Sequence, residues 1–250
     1  MARKRSKPSA RAVRTERARE ERRALERDRA RRRRYRIAGG ILGGALILFG
    51  LAALVIYLHR LSPFERRLLA QAPRAAAAAG CTEVRRVPPF PDALDRTHIG
   101  GGDAPVMPPL SRYRSVPPVS GPHAGAALRA GNYDVPPPVD MALHSLEHAA
   151  VIVWYDPGSA SDPALGEVRR FFETSDEGTH VIVAPYDYPE EGEAGRLLDG
   201  TGMALAAWHH VQLCERVSLP VAFSFVEAYR FNLYRWGSYQ GDAPERFAPI

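Results

Sequence analysis

Cysteine is scarce. The 250 residues hold two, Cys81 and Cys214, and no close-set pair, so the spacing signature of a cysteine-rich zinc site is missing. Phosphate-cradling loops are missing as well, because Gly100-Gly101-Gly102 leads into no helical pattern. Ser120 and Ser145 lack the strand-turn-helix setting of a nucleophile elbow. No aromatic residue precedes Tyr35, so the basic N-terminal run offers no surface for stacking nucleobases, and nucleic acid is not expected as a partner. Residues 37–58 lack charge altogether.

Elsewhere charge is plentiful but divided. Residues 1–36 hold 17 Lys and Arg against 5 Asp and Glu, whereas the rest of the chain holds 17 against 23. The sequence pI near 9.6 therefore belongs to the tail, and the remainder is mildly acidic. A polar, basic segment without an apolar face cannot fold alone. It reads as a solvated tail, or as a helix lying on anionic lipid.

The uncharged run IAGGILGGALILFGLAALVIYL, Ile37 to Leu58, is predicted to be a transmembrane helix, since about 20 apolar residues span a hydrocarbon core of about 30 Å. Gly39-x-x-x-Gly43 and Gly40-x-x-x-Gly44 fit a small-residue dimerisation pattern. Arg31 to Arg34 and Arg36 flank its N-terminal side, and only Arg60, Arg66 and Arg67 follow closely on the other. The positive-inside rule then predicts a single-pass plasma-membrane protein with a cytoplasmic N-terminus and an extracytoplasmic C-terminal domain. The basic region is too long, and the apolar run too extended, for a cleaved signal peptide. Histidine 59 reads as an interfacial residue.

The expected organisation is a basic cytoplasmic tail (1–36), a transmembrane helix (37–58), a juxtamembrane linker (59–80) and an extracytoplasmic domain (81–250). Residues 59–80 read as a short helix around Phe64, Leu68 and Leu69 running into an Ala-rich linker. Pro88 to Pro138 contains 12 of the 22 prolines and reads as an extended arm, because proline cannot fill central strands. Val151–Tyr155 and Thr179–Pro185 read as buried strands. Asp162-Pro163 opens a helix in cap-then-first-turn order. Gly202 to Arg216 fits either strand or strand-into-helix, and Pro220 to Trp236 an amphipathic helix. The fold class is α+β: a small sheet with helices packed on one face and a proline-rich wrapping arm, preceded by one transmembrane helix. In an oxidising compartment Cys81 and Cys214 favour a disulfide, the alternatives being free thiols or metal thiolates.

Pro117-Pro-Val-Ser-Gly-Pro-His123, His144-Ser-Leu-Glu-His148 before the Val151 strand, and Ala207-Trp208 with Cys214 recur together in a known pattern. With Gly80-Cys81, Thr97-His98, Phe225 to Arg230 and Pro244-Glu245, they resemble the bacterial family called domain of unknown function 3105 over about residues 80–248. The resemblance implies a membrane-anchored or exported domain without an assigned reaction. Three departures stand out: Val119 for the family's usual Thr, and Ala149 and His209 for usual Gly.

Four of the eight histidines, His98, His123, His144 and His148, fall in these segments. His144 and His148 share one face whether helical or extended. With His123 and His98 from the arm they form a candidate first shell for copper or zinc, with Glu147 as ligand or orienting group. Met107, Met141 and Met203 are soft side chains that would favour copper. The bland reading makes the histidines hydrogen-bonding ties for the proline-rich arm, in a non-catalytic interaction or envelope-assembly module. The third reading is a metal-dependent hydrolase, because His144-Ser-Leu-Glu-His148 matches the inverted zinc-protease pattern. That pattern requires a continuing helix, whereas here it runs into a strand former. His209-His210 is a side-by-side pair of which one member could face the site.

Overall fold

The computed structural model describes residues 10–58, 60–91, 93–100 and 106–250. His59, the first nine residues of the tail, and Gly101 and Gly102 lie outside the described residues. The chain divides into two compact units, Met1–His59 and Arg60–Ile250.

The first unit contains one helix, α1 (Ala10–Leu58). Leu25–Tyr57 is long and apolar enough to cross a membrane, and none of that window is buried by protein.

The second unit opens with α2 (Pro63–Ala78), whose start is fixed by sequence. Ser62 Oγ accepts the Glu65 N–H at 3.2 Å, and Glu65 Oε2 accepts the Ser62 N–H at 2.5 Å, a reciprocal capping box. The helix runs through the alanines expected to be linker, and Leu68 and Ala72 are buried. The arm follows with four two-residue strands: β1 (Arg85–Arg86), β2 (His98–Ile99), β3 (His123–Ala124) and β4 (Gly131–Asn132). Then come α3 (Val139–Glu147), β5 (Val151–Tyr155), α4 (Pro163–Thr174), β6 (Val181–Pro185), β7 (Met203–Ala207), β8 (His210–Cys214) and α5 (Leu219–Tyr229).

Six strands form one mixed sheet in the order β1-β8-β7-β5-β6-β4. β5 and β6 are parallel, joined across α4, and β7 pairs antiparallel with β5 and with β8. β2 and β3 form a separate parallel pair. β5 and β6 read as unbroken apolar runs because both faces of the sheet are covered. Val151, Val153 and Tyr155 face one core with α2, α4 and α5, while Ile152 and Trp154 face a second core with the arm and α3. Three helices thus share one face as expected, and α3 joins the arm on the other.

Two local expectations differ. Gly202–Arg216 forms the β7–β8 hairpin, turning through Trp208 and His209, with no helix in it. The C-terminal helix stops at Tyr229 because Arg230 turns extended (φ −81°, ψ 129°). Its buried guanidinium there pairs with Glu177 and donates to the Thr179 carbonyl. Cys81 and Cys214 are disulfide-bonded across a sequence separation of 133, which ties the end of α2 to the last residue of β8.

Candidate metal centre

Two pieces of backbone build the site. β2 and β3 pair in parallel with His98 opposite His123, so their side chains emerge together. α3 supplies the rest. Ala142, Leu143 and Leu146 anchor it in the arm-side core, and its last turn presents His144 and Glu147 with His148 as C-cap. The helix ends in a Schellman arrangement: the Ala149 N–H donates to Leu146 O and the Ala150 N–H to Ser145 O, each at 3.0 Å. Ala149 takes φ 61°, the left-handed turn that arrangement needs. His98 and His123 therefore sit on short strands, and His144 and Glu147 on a helix.

Ligand-type atoms of His98, His123, His144 and Glu147 all lie within 4.8 Å of one another. His123 is fully buried and Glu147 is 1% exposed, whereas the His98 side chain is 47% exposed and forms the rim. His123 Nδ1 lies 2.7 Å from the Gly121 carbonyl. A carbonyl has no proton to give, so Nδ1 is the donor and Nε2 is the atom left for the site. Nε2 lies 3.0 Å from Glu147 Oε2, and His98 Nε2 lies 3.5 Å from the same oxygen. Two donors each about 2.1 Å from one ion stand about 3.0–3.4 Å apart, so the 3.0 Å spacing fits an edge of a first shell and the 3.5 Å spacing lies just beyond one. His144 Nδ1 is buried with no hydrogen-bond partner. Burial, helped by the neighbouring His148, His123 and His98, pushes His144 down to about 4, which keeps it neutral and able to ligate.

Glu147 is held as an anion. Burial raises its carboxyl, but the close contact with His123 and the hydrogen bond and charge of Arg96 overcome that and bring it down to about 2. Arg96 Nε donates to Oε1 at 2.8 Å, so both carboxylate oxygens are engaged. A carboxylate so weakly basic, with its oxygens occupied, is unsuited to take a proton from water. α3 also ends at Glu147, so the inverted zinc-protease pattern lacks the continuing helix it requires.

His148 points to a neighbouring group. Its Nδ1 donates to the Pro249 carbonyl at 2.8 Å, and its Nε2 lies 3.3 Å from Glu245 Oε2. His144, His148 and Glu245 form a second set of converging ligand-type atoms. Neither His209 nor His210 reaches the site. His209 bridges Asp95 and Asp242, and His210 stacks on Tyr229. Met203 sits in the core on the opposite face of the sheet, so it cannot contribute a soft ligand. Sequence reasoning missed Arg96 as an orienting group and Glu245 as a donor. Pro244-Glu245 was marked only by the family resemblance, and Arg96 carried no signal.

The site and fold define an α+β domain with a buried histidine-carboxylate cluster beside a mixed sheet. Residues 110–238, just over half the chain, match the family model described as Protein of unknown function (DUF3105), and the chain belongs to that family. The match includes His123, His144, Glu147, His148 and Cys214, and leaves His98, Glu245 and Cys81 outside it. No curated protein and no solved structure matches the chain.

Proposed function

We propose that the protein binds a transition-metal ion, copper or zinc, through His98, His123, His144 and Glu147. The observation that carries this reading is the His123–Glu147 contact. With Nδ1 committed to a carbonyl, a neutral His123 directs a lone pair at a carboxylate oxygen 3.0 Å away, in a fully buried position. Either a proton or a cation must lie between them, and the unpartnered Nδ1 of neutral His144 supports the cation.

α1 serves as the anchor in this reading. The arginines preceding Ile37 support a cytoplasmic N-terminus and an extracytoplasmic domain at the plasma membrane, with the lipid bilayer as partner and anionic lipid against the basic tail. The disulfide supports an oxidising compartment. Ser6→Cys in the tail should react with an impermeant thiol reagent only after cells are opened, and labelling of intact cells would reverse the orientation.

The second reading is a non-catalytic interaction or envelope-assembly module. The same contacts favour it, since His123 against Glu147 and His148 on the Pro249 carbonyl would then simply lock the arm and the C-terminus onto α3. Metal content separates the two. The full-length protein in detergent micelles is dialysed against copper or zinc, then against metal-free buffer, and analysed by mass spectrometry. About one tightly held ion per chain is expected, with most of it lost in a Glu147→Gln variant that still melts cooperatively. A folded parent that retains none refutes metal binding and leaves the module.

A further inference from the structure

We infer that the cluster holds a second, outer metal position formed by His148 and Glu245, with His144 shared between the two positions; this rests on the inner position proposed above. The outer group repeats the histidine-carboxylate pair of the inner one. His123 gives its Nδ1–H to one carbonyl and turns Nε2 toward Glu147 Oε2. His148 gives its Nδ1–H to another and turns Nε2 toward Glu245 Oε2. Metal-ligating histidines are oriented in this way, by a carbonyl or carboxylate on the nitrogen that does not bind. A single guanidinium backs both carboxylates: Arg96 Nε lies 2.8 Å from Glu147 Oε1, and its terminal nitrogen 3.5 Å from Glu245 Oε1. The two glutamates are also joined through backbone, the Glu245 N–H donating to Glu147 O at 3.0 Å.

His144 stands between the halves. Its ring centroid is 4.4 Å from that of His148 and 5.2 Å from that of His123. It belongs to both sets of atoms converging within 4.8 Å. An imidazole has two ring nitrogens, so His144 serves both positions by giving one to each, releasing its ring proton to solvent when both are filled. The positions differ in openness. The inner has four protein donors and three of its residues buried, whereas the outer has three donors and its two non-shared residues are half-buried. Four protein donors close a tetrahedral site, and three leave a place for water. The outer ion is thus the more weakly held and exchangeable one, of the divalent class that takes imidazole and carboxylate together, zinc or cupric copper.

Zinc titration of the full-length protein in detergent micelles, followed by equilibrium dialysis, tests this. Two equivalents are expected, the second weaker by about tenfold or more. Glu245→Gln should remove the weak equivalent while leaving the tight affinity within about threefold, and Glu147→Gln should weaken the tight one by about tenfold or more. One equivalent in the parent, unchanged by Glu245→Gln, overturns the outer position and leaves the inner one standing, whereas no bound zinc overturns both. The unmutated protein gives an independent readout. Diethyl pyrocarbonate labelling of His148, mapped by peptide mass, should slow about tenfold at zinc ten times above the second Kd. Labelling at an undiminished rate with zinc saturating overturns the proposal.

Discussion

His209 carries a β-carbon at φ 59°, where a residue other than glycine is strained by about 1–2 kcal/mol. What holds it there is charge. Its two ring nitrogens lie 2.8 Å from Asp95 Oδ2 and 3.1 Å from Asp242 Oδ2, so one imidazole ties the arm to the C-terminal segment at the β7–β8 turn. Burial opposes its protonation, but the hydrogen bonds and charges of Asp95 and Asp242 prevail and raise it above 6.5. The raised histidine contributes fully below about pH 6.5, and its contribution fades as pH rises through the folded value. Asp95 and Asp242, both lowered below 3.8 by His209 against the opposing effect of burial, contribute above that pH and lose it as pH falls through their folded values. His144 and His180, both lowered by burial, add stability over the same range, so the melting temperature of the parent relative to His209→Gln should fall from pH 6 to pH 8. A slope unchanged by the substitution would show the clamp is not what titrates. Ala149 has the same backbone strain without such a tie. Ala149→Gly should raise stability by up to about 1 kcal/mol, relief of strain exceeding the loss of one buried methyl, and His209→Gly should lower it by about 1 kcal/mol or more through loss of the clamp. Urea unfolding midpoints measure both.

At the scale of elements, the site depends on where α3 is seated. Leu146 is 1% exposed in the arm-side core, one residue before Glu147. Leu146→Ala should cost about 2–5 kcal/mol and also weaken zinc binding, because the cavity lets the last turn shift. Val168→Ala, in the other core on α4, should lower stability while leaving zinc affinity unchanged. Equal losses of affinity in the two variants would detach the site from the seating of α3. The same elements show what was legible in the sequence. β5, β6 and the start of α4 were readable because burial on both faces leaves unbroken apolar runs, and Asp162-Pro163 makes a cap that needs no tertiary context: Asp162 Oδ1 accepts the Ala164 N–H at 2.9 Å. α3 was not readable, since nine residues between three prolines and a strand are too short to display a period. β7 was ambiguous because alanines at 204, 206 and 207 suit a helix as well as a strand; pairing with β5 and β8 decided the matter. The spacing of His144 and His148 told correctly that they share a face, and their rings do lie 4.4 Å apart at centroids. Glu245 could not be inferred from spacing, as it reaches α3 only through the folded C-terminal segment.

For the whole second unit, the largest single constraint is the Cys81–Cys214 bond. Closing a loop of that length should contribute about 4–5 kcal/mol through the unfolded state. Cys214→Ser should lower stability by about that amount in thermal melts, and reduction of the parent should reproduce the effect. A variant as stable as the oxidised parent would show the fold needs no staple. The bond also sets a load path. Tension entering the unit through its N-terminal side travels along α2 to Cys81, crosses to Cys214 through sulfur, and leaves along α5. Residues 82–213 lie inside the closed loop and off that path, and they include His98, His123, His144, Glu147 and His148. Force along that covalent path bypasses the histidines and reaches the cluster only through the non-covalent ties of the C-terminal segment, the Glu245 N–H on Glu147 O and the Pro249 carbonyl on His148.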